Sequence, residues 1–130
     1  MHIGALLALR KVPTPTLPAS LSVRSAALRL TELDRNAAMV MRADDIFCGV
    51  VCQASLVAAI ARYGEAAFDQ TIGDVALDRD MTYCSIHDTL SNVLRRLSEE
   101  GQSFVGVTSR HRLIDLVFRD ELADAGLPSN

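Results

Sequence analysis

Ser22 to Met41 reads SVRSAALRLTELDRNAAMVM, and Thr89 to Thr108 reads TLSNVLRRLSEEGQSFVGVT. Aligned at an offset of 67 residues, the two stretches pair Arg29 with Arg96, Leu30 with Leu97, Glu32 with Glu99 and Val40 with Val107. One residue is lost in the turn that follows, and at the resulting offset of 66 Val51 meets Val117 and Leu56 meets Leu122. Self-similarity at a fixed period marks a repeated structural unit, so the chain is read as two copies of one pattern.

Each copy has the same order of elements. In the first, Ser22 is an N-cap, and Val23, Ala26, Ala27, Leu30 and Leu33 recur at helical spacing as far as Asp34. Ala37–Met41 and Ile46–Val51 are short apolar runs on either side of the turn Arg42–Asp45, which predicts a hairpin. A second helix passes through Leu56, Val57, Ile60 and Ala61 and stops near Gly64. In the second copy Asp88 or Thr89 caps a helix carrying Leu90, Val93, Leu94 and Leu97 that ends at Gly101. Strands Ser103–Thr108 and Leu113–Phe118 then flank the turn from Ser109 to Arg112, and a short helix covers Asp120–Ala125. A strand enters each copy ahead of its first helix, and Gly64–Gly73 connects the copies.

A copy of roughly 60 residues with strands apolar on both faces is too small to enclose its own core. The expected fold is therefore α/β of the α+β kind: two β-α-β-β-α repeats packed sheet against sheet by pseudo-twofold symmetry. The boundaries follow, with residues 1–66 holding a leading helix (Ile3–Leu9) and the first copy, and 67–130 the linker and second copy, together one compact module. A single βαββαβ domain is the rival topology. It is disfavoured because each copy closes on a hairpin followed by a helix, and a lone continuous sheet would be its mark.

Composition narrows the function. Thirteen Lys and Arg against 16 Asp and Glu give a net charge of -3, without the basic excess that nucleic-acid binding requires. Cys48, Cys52 and Cys84 form neither a disulfide framework nor a zinc ribbon, which fits a reducing cytoplasm. The apolar stretch Ile3–Leu9 is too short to span a bilayer and runs into Pro13, Pro15 and Pro18, so neither signal peptide nor anchor is expected. With 49% hydrophobic residues the chain is oily for its size, which points to an apolar face covered by a partner chain.

The repeat, with its leading helix and the connector Gly64-Glu65-Ala66-Ala67-Phe68-Asp69 running into Thr71-Ile72-Gly73-Asp74-Val75, resembles the cystathionine-β-synthase-type (CBS) domain pair, or Bateman module, in its small stand-alone bacterial form. The resemblance spans Val12 to about Ala125. It implies tandem CBS motifs in a non-enzymatic regulatory module, a homodimer shaped as a flat disc, and an adenine nucleotide or adenosyl ligand in the cleft between copies. The family's ligand signature is a Gly, two apolar residues, Ser or Thr, two variable residues and Asp, running from the last strand into the last helix of each copy. The hydroxyl and helix N-terminus can meet a phosphate, and the carboxylate can accept both ribose hydroxyls. Here the first copy reads Gly49-Val50-Val51-Cys52-Gln53-Ala54-Ser55, with Cys52 for the hydroxyl and Ser55 for the carboxylate. The second reads Asp115-Leu116-Val117-Phe118-Arg119-Asp120-Glu121, with Asp115 for the glycine, Phe118 for the hydroxyl and Glu121 for Asp.

Losing a charge-assisted hydrogen bond of roughly 1.5–3 kcal/mol at Ser55 weakens ribose binding about tenfold to a hundredfold. Glu121 keeps the charge on a longer arm, Arg119 is placed to compensate a phosphate, and a phenyl at the mouth, Phe118, stacks on a base or fills space. The resemblance also places Ala37, Ala38, Val105 and Gly106 against adenine, with Thr16, Thr82 and Cys84 at the strand entering each copy. All of these are equally ordinary core or strand-end residues.

Other groups carry less. Ser85, His87 and Asp88 hold the residue types of a hydrolase triad, but sequence neighbours rarely adopt triad geometry, and they read as turn and cap. Arg110-His111-Arg112 reads as a solvated turn, and Cys48 and Cys52 with His2, His87 and His111 scattered do not make a metal site. The expected protein is thus a cytoplasmic homodimer with no catalytic residues, no metal and no obligatory cofactor. It takes AMP, ADP, ATP or S-adenosylmethionine as a regulatory ligand and signals by allostery to an unknown effector protein, without nucleic acid or membrane. The alternative is a ligand-free dimerisation and interaction scaffold with degenerate clefts.

Overall fold

The computed structural model describes residues 1–126. In chain order the elements are α1 (Ile3–Leu9), β1 (Thr16–Pro18), α2 (Val23–Leu33), β2 (Ala37–Met41), β3 (Phe47–Cys52), α3 (Gln53–Tyr63), a 3-10 turn (Gly64–Asp69), α4 (Ile72–Val75), β4 (Tyr83–Ser85), α5 (Leu90–Glu100), β5 (Phe104–Ser109), β6 (Arg112–Phe118) and α6 (Arg119–Gly126). The strands form two three-stranded sheets, ordered β1-β2-β3 and β4-β5-β6, which disposes of the single-sheet rival. In each sheet the first strand is parallel to the second and the second antiparallel to the third.

The repeat is kept in detail. β1, α2 and β2 each begin 67 residues before β4, α5 and β5, and the register shifts next to Val40 in one hairpin and next to Val107, its repeat partner, in the other. Local chemistry sets the helix ends. The Ser22 hydroxyl accepts from the Ser25 amide at 3.1 Å, and that of Thr89 from the Asn92 amide at 3.3 Å. Asp34 and Gly101 close the same two helices in the left-handed conformation.

Strand alternation divides each sheet into two faces. Ala38, Val40 and Val51 join Val23, Leu30 and Leu56 in one hydrophobic cluster, while Ala37, Met39, Val50 and Cys52 are buried on the opposite face. In the second copy Val105, Val107 and Val117 join Leu90, Leu97 and Leu122, and Phe104, Gly106, Leu116 and Phe118 take the opposite face.

The compact units divide the chain differently from the boundary read at residues 66 and 67. One unit is Pro15–Asp80, and the other combines Met1–Thr14 with the chain from Met81 onward. The leading helix thus belongs with the second copy, and the linker with the first. Equivalent backbone bonds cause this. The Ile3 and Gly4 amides donate to the carbonyls of Asp88 and Ile86, both at 2.9 Å, and Ile72 and Gly73 donate to Leu21 and Ala19 at 2.9 and 3.0 Å. Both isoleucines are fully buried in the unit they enter.

Both glycines are packed closely. A Cβ on Gly73 would stand 2.9 Å from the Ala19 Cβ and 3.0 Å from the Ala19 oxygen, whereas one on Gly4 would stand 3.3 Å from the Ile86 oxygen. Gly73→Ala is expected to cost about 1–3 kcal/mol by overpacking and to lower Tm by roughly 4 °C for each kcal/mol. Gly4→Ala is expected to cost less. Thermal unfolding of the two variants side by side checks the order.

Candidate functional site

The two signature stretches lie at the β3–α3 and β6–α6 junctions, and each closes on itself through different chemistry. At the first, Cys52 is the N-cap of α3. Its sulfur accepts from the Ser55 amide at 3.4 Å, and the Ser55 hydroxyl accepts from the Cys52 amide at 2.8 Å. This is a reciprocal capping box with a thiol where serine or threonine is usual. The Ser55 hydroxyl also donates to the Cys52 carbonyl at 3.0 Å, so the position read as the substitute for a ribose carboxylate works as a helix cap.

The carboxylate at this junction comes from elsewhere. Asp78, between α4 and β4, donates its backbone N–H to the Val50 carbonyl at 2.7 Å, which sets its side chain beside the cap. Its Oδ2 accepts from the Cys52 thiol at 3.5 Å, and its Oδ1 from the Asp80 amide at 2.9 Å. Neither donor is a cation, so this half-buried carboxylate retains acceptor capacity. Burial, the largest influence, raises the Cys52 pKa above its ordinary value against an opposite pull from the Ser55 hydrogen bonds, and Asp78 adds a smaller rise.

The second junction holds an ion-pair cage. Arg10, one residue past the end of α1, donates from Nη2 and Nε to the two Glu121 oxygens at 2.8 and 3.2 Å. Its Nη1 reaches Asp115 Oδ1 at 3.0 Å and Thr14 Oγ1 at 2.6 Å, and its Nη2 also reaches the Leu116 carbonyl at 2.8 Å. The Thr14 hydroxyl closes the ring by donating to Asp115. The Arg10 side chain is only 8% exposed, against 28% for Asp115 and 20% for Glu121. Glu121 Oε1 further accepts from the Phe118 amide at 3.1 Å, serving α6 as Ser55 serves α3. Two of the three departures from the signature, Asp115 and Glu121, are therefore partners of one guanidinium.

The remaining expected residues separate by face and exposure. Ala37 and Gly106 lie on the sheet face away from their own helices, whereas Ala38 and Val105 point into the helical clusters and cannot share a ligand surface with them. A Cβ on Gly106 would stand 2.5 Å from the Met81 methyl and 3.1 Å from Leu113 and Tyr83 side-chain atoms, so the chain's own side chains cover that position. Phe118 is not at a mouth. It is 4% exposed and packs on Phe104 with ring centroids 6.4 Å apart. Cys84 is buried in the second cluster, and the Thr82 hydroxyl donates to the Glu100 carboxylate. Thr16 and Arg119 are exposed.

Ser85 and Asp88 serve the turn before α5: the Ser85 amide donates to Asp88 Oδ2 at 2.8 Å and the His87 amide to the Ser85 hydroxyl at 3.1 Å. Among the described residues no group of three or more His, Cys, Asp or Glu is placed to hold a metal, no buried side-chain polar atom lacks a hydrogen-bond partner, and no helix is long and apolar enough to cross a membrane. Sequence reasoning missed Arg10, Thr14, Asp78 and Met81. The available signal was the lone arginine ending an otherwise apolar helix, though its partners lie more than 100 residues away.

No protein-family model matches the sequence, and no curated protein matches it. Solved structures do. A CBS-domain-containing protein from Agrobacterium tumefaciens superposes with a TM-score of 0.77 at 22% identity, covering 97% of this chain and 93% of that one. A CBS domain pair in complex with 5′-methylthioadenosine and S-adenosyl-L-methionine gives 0.67 at 17% identity, covering 96% and 94%. A CBS domain protein from Pyrobaculum aerophilum complexed with AMP gives 0.68 at 16%, covering 93% and 89%. The chain has the fold of a CBS domain pair of similar size.

Ser55→Ala leaves the Cys52 amide without its acceptor and is expected to cost about 1–2 kcal/mol in urea unfolding, with Ser55→Asp recovering most of the loss. Cys84 gives a pH test. Burial foremost, then the Asp88 charge, push its pKa from 9.0 up to about 11, against a smaller opposite pull from Arg96. The folded pKa exceeds the unfolded one, so the stability tied to the protonated thiol is intact below pH 9 and lost as pH rises towards 11. Unfolding free energy measured from pH 8 to 11 is expected to fall less steeply in Cys84→Ala than in the parent.

Proposed function

We propose that the chain is a non-enzymatic regulatory module that binds an adenosyl ligand at the first signature and reports its presence to a partner protein. The CBS-pair fold supports the regulatory part of this reading, and two of the solved relatives hold adenosyl compounds. The observation that carries the choice of site is Asp78, a carboxylate without a cation, held beside the N-terminus of α3. It supplies from the segment between α4 and β4 the ribose acceptor that Ser55 cannot.

The two units act as one module, the active form is a homodimer in the cytoplasm, and the output passes through another polypeptide. Leu28 and Leu33 on α2 and Val57 on α3 are exposed apolar side chains that support self-association. The scaffold reading keeps one specific observation in its favour, because Ser55 and Glu121, at the two carboxylate positions, both bond within the chain.

A thermal-shift panel of AMP, ADP, ATP, S-adenosylmethionine and NADH separates the two. A bound ligand at 100 times its Kd is expected to add about 2.7 kcal/mol of stability. Asp78→Asn should raise Kd by about 10-fold to 100-fold, the worth of one charge-assisted hydrogen bond. A flat response to every compound would favour the scaffold.

A further inference from the structure

We infer that the second signature is occupied by the chain's own Arg10, which acts as a built-in competitor, so that an adenosyl ligand binds there only when the guanidinium is displaced. The inference rests on the proposed ligand class and concerns the site which that proposal leaves unused.

Three observations carry it. The guanidinium engages both Glu121 oxygens, which are the acceptors a vicinal diol would need, in the bidentate geometry that makes such pairs strong. Asp115, standing where the signature has glycine, adds a second carboxylate whose bonds are to Arg10, Thr14 and its own strand. Arg10 is nine-tenths buried, although it lies in the short segment between α1 and β1, and it is held there by five hydrogen bonds. A diol offers two neutral donors to Glu121, whereas the arginine offers two charged ones already in place.

The first copy shows the contrast. The Val50 carbonyl, the repeat partner of Leu116, receives the Asp78 backbone amide, and the side chain delivered there is an anion. At the equivalent spot the second copy receives a cation. One junction presents an acceptor and the other has its acceptors filled.

Isothermal titration with AMP, and in parallel with S-adenosylmethionine, tests this on the full chain, on Arg10→Gln and on Arg10→Gln with Asp115→Asn. The double variant removes one of the two carboxylates left facing each other, and circular dichroism verifies that it folds. The expected result is one more equivalent bound per chain in the variants than in the parent, and loss of that extra equivalent, with at least a 10-fold weaker Kd, when Glu121→Gln is added. An extra equivalent over a parent that binds nothing also supports self-occupation while removing the sensing proposal. Equal stoichiometry in parent and folded double variant, whether one or none, overturns the inference; a parent that binds one equivalent leaves the sensing proposal standing.

Discussion

The fold depends on a crossed backbone exchange between a two-residue motif and a pair of carbonyls. Ile3-Gly4 bonds to the carbonyls of Asp88 and Ile86, and Ile72-Gly73 to those of Leu21 and Ala19. In both places the isoleucine is buried and the glycine allows the approach. Each unit is completed by a segment that precedes the other copy in sequence, so the N-terminal helix is structural for residues about 85 positions downstream. This docking also explains the cage at the second junction. α1 ends at Leu9, and Arg10 is therefore delivered to β6 and α6 by the same bonds that seat Ile3.

Given that frame, the two junctions solve one physical problem twice. The first residues of a helix present amides that need acceptors, and a side chain at the third helical position turns back to supply one. Ser55 and Glu121 both do this, for Cys52 and Phe118. What differs is the charge that accompanies the cap. A short neutral hydroxyl needs no counterion, whereas a half-buried glutamate does, and Arg10 supplies it. The polar exchanges in the two signatures are therefore coupled to residues outside the signatures: serine with the separate carboxylate Asp78, and glutamate with arginine.

Much of the architecture was legible because it is written in local patterns. The caps at Ser22 and Thr89, the stop at Gly101 and the two hairpins all depend on residues within a few positions of one another, and the 67-residue offset is that local pattern stated twice. The allegiance of the leading helix was not read, although Ile-Gly recurs at residues 3–4 and 72–73, because a two-residue match has little weight before its carbonyl partners are known. Strand alternation sorts the ligand positions inherited from the resemblance. Neighbours such as Ala37 and Ala38 point to opposite faces, so at most one of each pair could have met a ligand. The partners of Arg10 were illegible for a different reason: a charge pair spanning more than 100 residues leaves no periodic trace.

The two copies have also diverged on their outer helices, and the repeat itself provides the control. Leu28, Leu33, Ala54 and Ala58 are exposed in the first copy, and their repeat partners Arg95, Glu100, Asp120 and Asp124 are exposed in the second. The same helix positions in the same fold accept charged residues without loss of the core, so the fold does not require apolar ones there. The first copy thus carries apolar side chains at four helix positions where the second carries charged ones, and the arginine cage belongs to the second. The two copies share one fold and differ in charge at these helix positions and in the carboxylate at the signature, where Asp78 takes the Cys52 thiol and the Asp80 amide and Glu121 is paired with Arg10.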